Sequence, residues 1–421
     1  MNQRYRRRSS SHAVPRLVAL PAIASVLLPL AAHAQLAVNA SADAQYESNS
    51  NVFNLSSQNP QLGPTVPRRD DAYFGYGANV DLDYKLGRQL FNFAASGNRF
   101  EYQHLTQLDH EDYSVRGGLN WTATSLVNGT IDVSRVRSMV PFYDLSGQSN
   151  LSLQTTLSLQ TSQREEASMN VTLSPRWSIS GNASSNRIDE PLPQAPDLTL
   201  TDSTGQLTLS YRSTARFVAG GFVGYETGSY DGTTPALNPV GPVMTANPDY
   251  HQAQAGLTST YTSPRTTYSG QIGYSRRTSD AQTDSTSAVT GSVSLTERLT
   301  PKTSLIFTAG RSIQNYLLNT GSEIDSTLGL AADWNATNKL AVTLGYTYTY
   351  RDFPRQGNNP VGTDRVDIQS VAVLGITYQA RPWISINPYA NVAWRISNFV
   401  GGDFDSTVYG VRVTVQRPLK K

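Results

Sequence analysis

The side chains able to act on a solute are spread along the whole chain. Arg135, Arg137, Arg276, Arg311, Arg351, Arg395 and Arg412 recur within segments of alternating character, opposed by Glu101, Asp132, Glu226, Glu297 and Asp333. Charges of both signs, dispersed in this way, suit ion pairing and hydrogen bonding to something hydrophilic. They do not form a nucleophile–base pair or a paired-carboxylate site. The chain lacks a GxSxG elbow, a phosphate-cradling glycine loop and an HExxH helix. His104 and His110 flank Asp109, Glu111 and Asp112, a donor set for a metal that reads more simply as a solvated loop. No catalytic residue, cofactor or metal ligand is assigned.

The expected place for these charges is a water-filled lumen. At the midplane of a bilayer an outward Arg costs about 2 to 4 kcal/mol, whereas in water it costs little. Most of the twelve residues are therefore predicted to point inward or to lie at a rim. A mixed-sign lining of this kind, with Tyr among it, suits hydrogen bonding and stacking with sugar rings, and suits an ordinary polar lumen equally.

The elements that must position them have a two-residue period. From Leu340 to Phe353, Val342, Leu344, Tyr346, Tyr348 and Tyr350 share one parity, while Ala341, Thr343, Gly345, Thr347 and Thr349 share the other. That pattern is a strand with one apolar and one small polar face. Similar segments fill most of the chain, and most reach the roughly 9 to 11 residues a bilayer-crossing strand needs. They are joined by a recurring turn: LSPR at 173–176, YTSPR at 261–265, LTPK at 299–302 and YQARP at 378–382. Turn centres fall near 87, 124, 175, 214, 264, 301, 338 and 381. Between them lie longer links rich in Gly, Pro, Asn and Asp, such as 188–197, 231–248 and 354–365.

Short turns at one end and long loops at the other predict an all-β, antiparallel transmembrane barrel of the outer-membrane type. The count is 18 strands, with 16 as the alternative, and an even number places both ends of the barrel domain on the periplasmic side. Residues 150–173 are taken as one long strand whose charged centre, Arg164, Glu165 and Glu166, emerges into water. Phe217–Tyr225 breaks alternation at Val218 and Phe222, which a bulge, a packed lumen or another register would explain. Tyr211 and Phe217, Tyr250 and Tyr261, Tyr316 and Trp334, and Tyr378 and Trp383 are expected to form interfacial girdles.

Composition agrees. Apolar residues make up only 38% of the 421, there is no Cys, and 34 bases balance 32 acids, which gives no reason to expect nucleic acid as a partner. Residues 1–34 read as a signal peptide, with a basic front from Arg4 to Arg16, a short apolar run over Leu17–Leu30 and an Ala32-His33-Ala34 cleavage site. Residues 35–421 then form a single barrel domain in the outer membrane of a Gram-negative bacterium. The chain closes on Val413 to Lys421 without the aromatic end residue common in such barrels, so an assembly signal is expected within Tyr409–Val415.

The YESNSNVF stretch (Tyr46–Phe53), the turn repeat and the strand count together resemble the EpsL-like outer-membrane barrels of exopolysaccharide biosynthesis loci. The resemblance covers roughly residues 35–421. It implies export or assembly of a secreted polysaccharide, with outer-membrane lipid, the polysaccharide, periplasmic export proteins and the barrel assembly machinery as partners. It supplies no catalytic residues. The rival readings are a non-conducting anchoring barrel and a general small-solute porin.

Overall fold

The computed structural model describes residues 34–56, 68–142, 155–191, 198–231, 233–238, 241–246, 249–280, 285–315, 322–353, 365–399 and 401–418. The expected signal peptide falls on residues outside these, except for Ala34, which opens the first strand. Twenty strands follow in order: β1 Ala34–Asn49, β2 Asp71–Leu86, β3 Gln89–Tyr102, β4 His110–Thr122, β5 Val127–Met139, β6 Leu159–Thr172, β7 Trp177–Glu190, β8 Leu198–Arg212, β9 Phe217–Asp231, β10 Thr233–Asn238, β11 Gly241–Ala246, β12 Tyr250–Thr262, β13 Thr266–Ser279, β14 Ser285–Thr300, β15 Thr303–Asn315, β16 Ser322–Asn335, β17 Leu340–Phe353, β18 Arg365–Arg381, β19 Ile384–Ser397 and β20 Phe404–Pro418.

Eighteen of these make one antiparallel sheet in which each strand pairs with its neighbours in sequence. β9 pairs directly with β12, and β20 returns to β1 through Asn39–Asn49 against Val408–Pro418. The sheet is therefore a closed barrel with no free edge, which lipid requires because it cannot satisfy an unpaired backbone group. The remaining pair, β10 and β11, is a separate hairpin in the chain between β9 and β12. Sequence reading took this region as an irregular link; Pro, Gly and Asn within it hid two six-residue strands.

Residues opposite one another in an antiparallel pair share a face, so the registers carry one parity around the whole circuit. Starting from Leu36 opposite Tyr84 and Tyr84 opposite Phe91, the outer face runs through Val115, Ile131, Met169, Ile179, Leu207, Val223, Leu257, Ile272, Val289, Leu305, Leu330, Leu344, Leu374, Val392 and Val413. Val413 then meets Ala44, on the parity of Leu36, so the assignment closes on itself. These large apolar side chains are exposed, as a lipid-facing belt must be. The chain is a transmembrane β-barrel of the Gram-negative outer-membrane type.

Aromatics bound the belt. Phe91, Trp177, Phe217 and Trp334 sit near the short turns, and Phe74, Tyr225, Tyr274 and Tyr409 nearer the loops, all exposed. A 14-residue strand tilted by about 40° rises roughly 35 Å, whereas the apolar band is about 25 Å tall. The surplus projects on the loop side. Tyr250 does not join a girdle: it is buried and faces inward.

Two irregularities resolve physically. β9 carries no bulge: Phe222 turns inward and is buried at the lumen wall. Its ring occupies space left by Gly256 and Gly273, where added Cβ atoms would lie 2.8 Å and 3.1 Å from it. The predicted long strand over 150–173 is shorter, beginning at Leu159. Leu157 packs instead against an apolar cluster at the mouth, and Leu151 and Leu153 lie outside the described residues. The tight β2–β3 turn is made by Gly87 at φ +60°, a conformation glycine adopts without penalty.

Neighbouring positions on one strand test the facing. Ile272→Arg should destabilise the barrel by about 2 to 4 kcal/mol, while Gln271→Arg, one residue away on the lumen face, should change stability little. Urea unfolding in lipid vesicles, followed by heat-modifiable gel mobility, measures both; equal effects would mean the two faces are misassigned.

Candidate functional site

The inward parity forms a polar wall. On β4 to β8 it presents Asn120, Asn128, Asn170, Asn182, Gln206 and Thr208, which line a recess of about 470 Å³. Asn128 is opposite Asn170 and Asn182 opposite Gln206, so amide side chains stand in adjacent pairs across neighbouring strands. β12 to β17 continue the lining with Thr258, Gln271, Ser292, Thr308, Thr327 and Thr347. Such side chains both donate and accept hydrogen bonds without carrying charge.

The charges of this face are largely paired. Arg116 lies 2.6 Å from Asp132, and Arg164 lies 2.9 Å from Glu166, which also accepts from Asn182. Arg351 and Asp325 approach to 3.7 Å. An acidic stripe remains on the β1–β2 wall, where Asp43, Asp81 and Asp83 share the inward parity with Asn79. Asp81 and Asp83 are exposed to the lumen and make no ion pair among the described residues.

Three consolidations lie at the loop end. In the first, Arg277 is buried, pairs with Glu226 at 3.1 Å, donates to Gln252 at 2.9 Å and to the Ile313 carbonyl at 3.3 Å, and lies 4.1 Å over the Tyr250 ring. The Tyr250 hydroxyl lies within hydrogen-bond distance of Glu226, at 2.9 Å, and of Asp202, and its single proton serves one of them at a time. In the second, fully buried Asp367 is held by Arg365 at 2.5 Å, by the Ser397 hydroxyl at 2.6 Å and by Arg395 at 3.9 Å. Arg395 also donates to the Gly402 carbonyl and lies 4.9 Å over Phe404.

The third is an apolar cap. Val52, Phe53 and Leu55 from the loop after β1, Leu105 and Leu108 after β3, and Val140 and Phe142 after β5 form one buried cluster against Tyr102. Phe53 meets Phe142 edge-on at 4.9 Å. The cluster also packs on Tyr73 and Phe100, which face the lumen, so these loops fold inward over the mouth. Asn51 fixes the cap's entry: its amide donates to the carbonyls of Leu55 and Asp405 while its oxygen accepts from Leu55 N–H.

Of the twelve charged residues named from sequence, Asp132, Glu226, Asp333, Arg351, Arg395 and Arg412 lie on the inward parity. Asp333 accepts from Thr343 at 2.8 Å, and Arg412 donates to Gln45 at 2.8 Å. The other six, Glu101, Arg135, Arg137, Arg276, Arg311 and Glu297, share the outward parity. They lie toward strand ends, where lipid gives way to headgroups and water; Glu101, for example, bonds Arg99 at 2.8 Å. Tyr346, Tyr348 and Tyr350 also face outward, so they are not a stacking surface for a solute in the lumen.

Sequence reading missed Arg277, whose neighbour Arg276 it chose, and missed Asp367 and Arg365. The signal for Arg277 was its parity with Ser275 and Gly273, the small polar set of its strand. His104 bonds Asp71 at 2.9 Å, and His110 stacks on Phe100. Among the described residues no three His, Asp, Glu or Cys side chains are grouped to hold a metal.

The family described as "Putative beta-barrel porin 2" matches residues 222–417, somewhat under half of the chain. No curated protein matches in sequence. Among solved structures, the copper transporter OprC is similar at 12% identity and a TM-score of 0.47, over 88% of this chain and 62% of that one. The FrpB iron transporter from Neisseria meningitidis is similar at 9% identity and a TM-score of 0.48, over 90% of this chain and 81% of that one. OpdK from Pseudomonas aeruginosa is similar at 14% identity and a TM-score of 0.47, over 90% and 99%. The chain thus spans less than two thirds of the length of OprC.

The buried pair yields a prediction. Arg277→Met strands Glu226 and should destabilise the barrel by about 3 kcal/mol. Adding Glu226→Gln should recover most of that loss. A double variant no more stable than the single, by urea unfolding, would show that the pair is not the unit.

Proposed function

We propose that this barrel is a passive outer-membrane conduit for small hydrophilic solutes, neutral or cationic, the porin alternative among the readings above. The observation that carries it is the inward face: uncharged hydroxyls and amides, with most bases held in ion pairs, Arg412 held by Gln45, and an acidic stripe left over at Asp43, Asp81 and Asp83. Such a wall exchanges hydrogen bonds with a polar solute and raises the local concentration of cations. The partial match to a porin family supports the same reading. The cap restricts the entrance on the β1–β6 side.

A second reading is passage of a secreted polysaccharide, the role implied by the EpsL-like resemblance. What favours it is the amide-rich recess at Asn128, Asn170, Asn182 and Gln206, which suits sugar hydroxyls. The acidic stripe restricts that reading to neutral or cationic glycans.

Reconstituted in a planar bilayer under a potassium chloride gradient, the purified barrel should conduct, with a reversal potential of cation-selective sign. Asp81→Asn combined with Asp83→Asn should move that potential toward zero. Phe53→Asp, which spoils the cap, should raise single-channel conductance. Long neutral glycans should block the current if the second reading holds. No conductance from a folded barrel would reject both readings in favour of an anchoring role.

A further inference from the structure

The short-turn rim carries a charge pattern that solute passage does not use. Seven of its eight turns hold a base: Arg88, Arg176, Arg216, Arg265, Lys302, Lys339 and Arg381. The exception is the 123–126 turn, and no Asp or Glu occurs in any of the eight. All seven bases are exposed, and none makes an ion pair among the described residues. The opposite rim carries both signs, with Arg68 and Arg69 beside Asp70 and Asp71, and Arg99 paired with Glu111. In a chain of near-zero net charge this one-signed rim is a property of the fold, since it puts one base at or beside the tip of nearly every hairpin.

We propose that this rim is a crown that binds anionic phospholipid headgroups in the periplasmic leaflet. Three observations favour lipid as the occupant. The crown lies just beyond the aromatic girdle of Phe91, Trp177, Phe217 and Trp334, at headgroup depth. The side chain of Arg176 reaches the outer surface, donating at 3.2 Å to the hydroxyl of lipid-facing Tyr211. Immediately inside the lumen, Asp81 and Asp83 would repel a polyanion approaching along the axis. Hairpins stand about 10 Å apart, close to the Debye length at physiological salt, so neighbouring bases act as one positive surface. The proposal depends on the barrel's orientation and not on what the lumen carries.

The test uses the full barrel in mixed nanodiscs of phosphatidylglycerol and phosphatidylcholine, with co-purifying lipid counted by native mass spectrometry. The wild type should retain phosphatidylglycerol at least about fivefold over phosphatidylcholine at low salt, and the preference should collapse in molar salt, as expected of screened surface charge. A variant with Arg176, Arg216, Arg265, Lys302, Lys339 and Arg381 all changed to Gln should lose the preference while keeping the conductance of the wild type. The salt series on the unmodified barrel keeps the test decisive if that variant does not fold. Equal retention of the two lipids, or a preference indifferent to salt, overturns the proposal. So does binding of a soluble polyanion such as polygalacturonate with no lipid preference, which would assign the crown to a polysaccharide.

Discussion

Everything in this molecule follows from one condition: a backbone inside lipid must find every hydrogen bond within the protein. A sheet meets that condition only by closing, and closing fixes a single parity for all eighteen strands. Once Leu36 faces lipid, the registers leave no freedom for Ile272 or Val413. The outer face must then be apolar and the inner face is released from that demand. This is why Ser, Thr, Asn and Gln can stand on the inward face of many strands, and why the chain holds so little apolar residue for its length.

Freed from packing, the lumen is stabilised by other means. Its lower part is lined by small and amide side chains together with the acidic stripe of Asp81 and Asp83. Near the loops, where strands outrun the bilayer, charges are buried against one another or under aromatic rings. Arg277 and Arg395 each combine a carboxylate, a carbonyl and a ring. Such groups tolerate burial only when nearly every donor is matched. The apolar cap fills the remaining sector, so the mouth is shaped by three different kinds of contact.

How much of this could be read in advance depended on periodicity. The turns repeat and the strands alternate, so the strand count and the positions of the short turns were legible. The facing of strand-end charges was not, because one residue separates inward Arg277 from outward Arg276, and a one-residue error flips every side chain. Phe222 broke the pattern for a reason held on other strands, at Gly256 and Gly273. The cap and the β10–β11 hairpin lie in long links, where no period exists to read. The YESNSNVF stretch, noticed only as a resemblance, has a local cause: Glu47 accepts from Tyr389, Asn49 from Ser406, and Asn51 starts the cap.

That stretch also governs how the circle is joined. β1 and β20 are paired over eleven residues each, and side chains add to the backbone ladder at both heights: Arg412 to Gln45 within the wall, Ser406 to Asn49 and the Thr407 amide to Ser50 above it. A junction fastened this way is not a weak gap between first and last strands. Lateral escape into the bilayer would have to tear it row by row, so material entering this cylinder has only its two ends as exits.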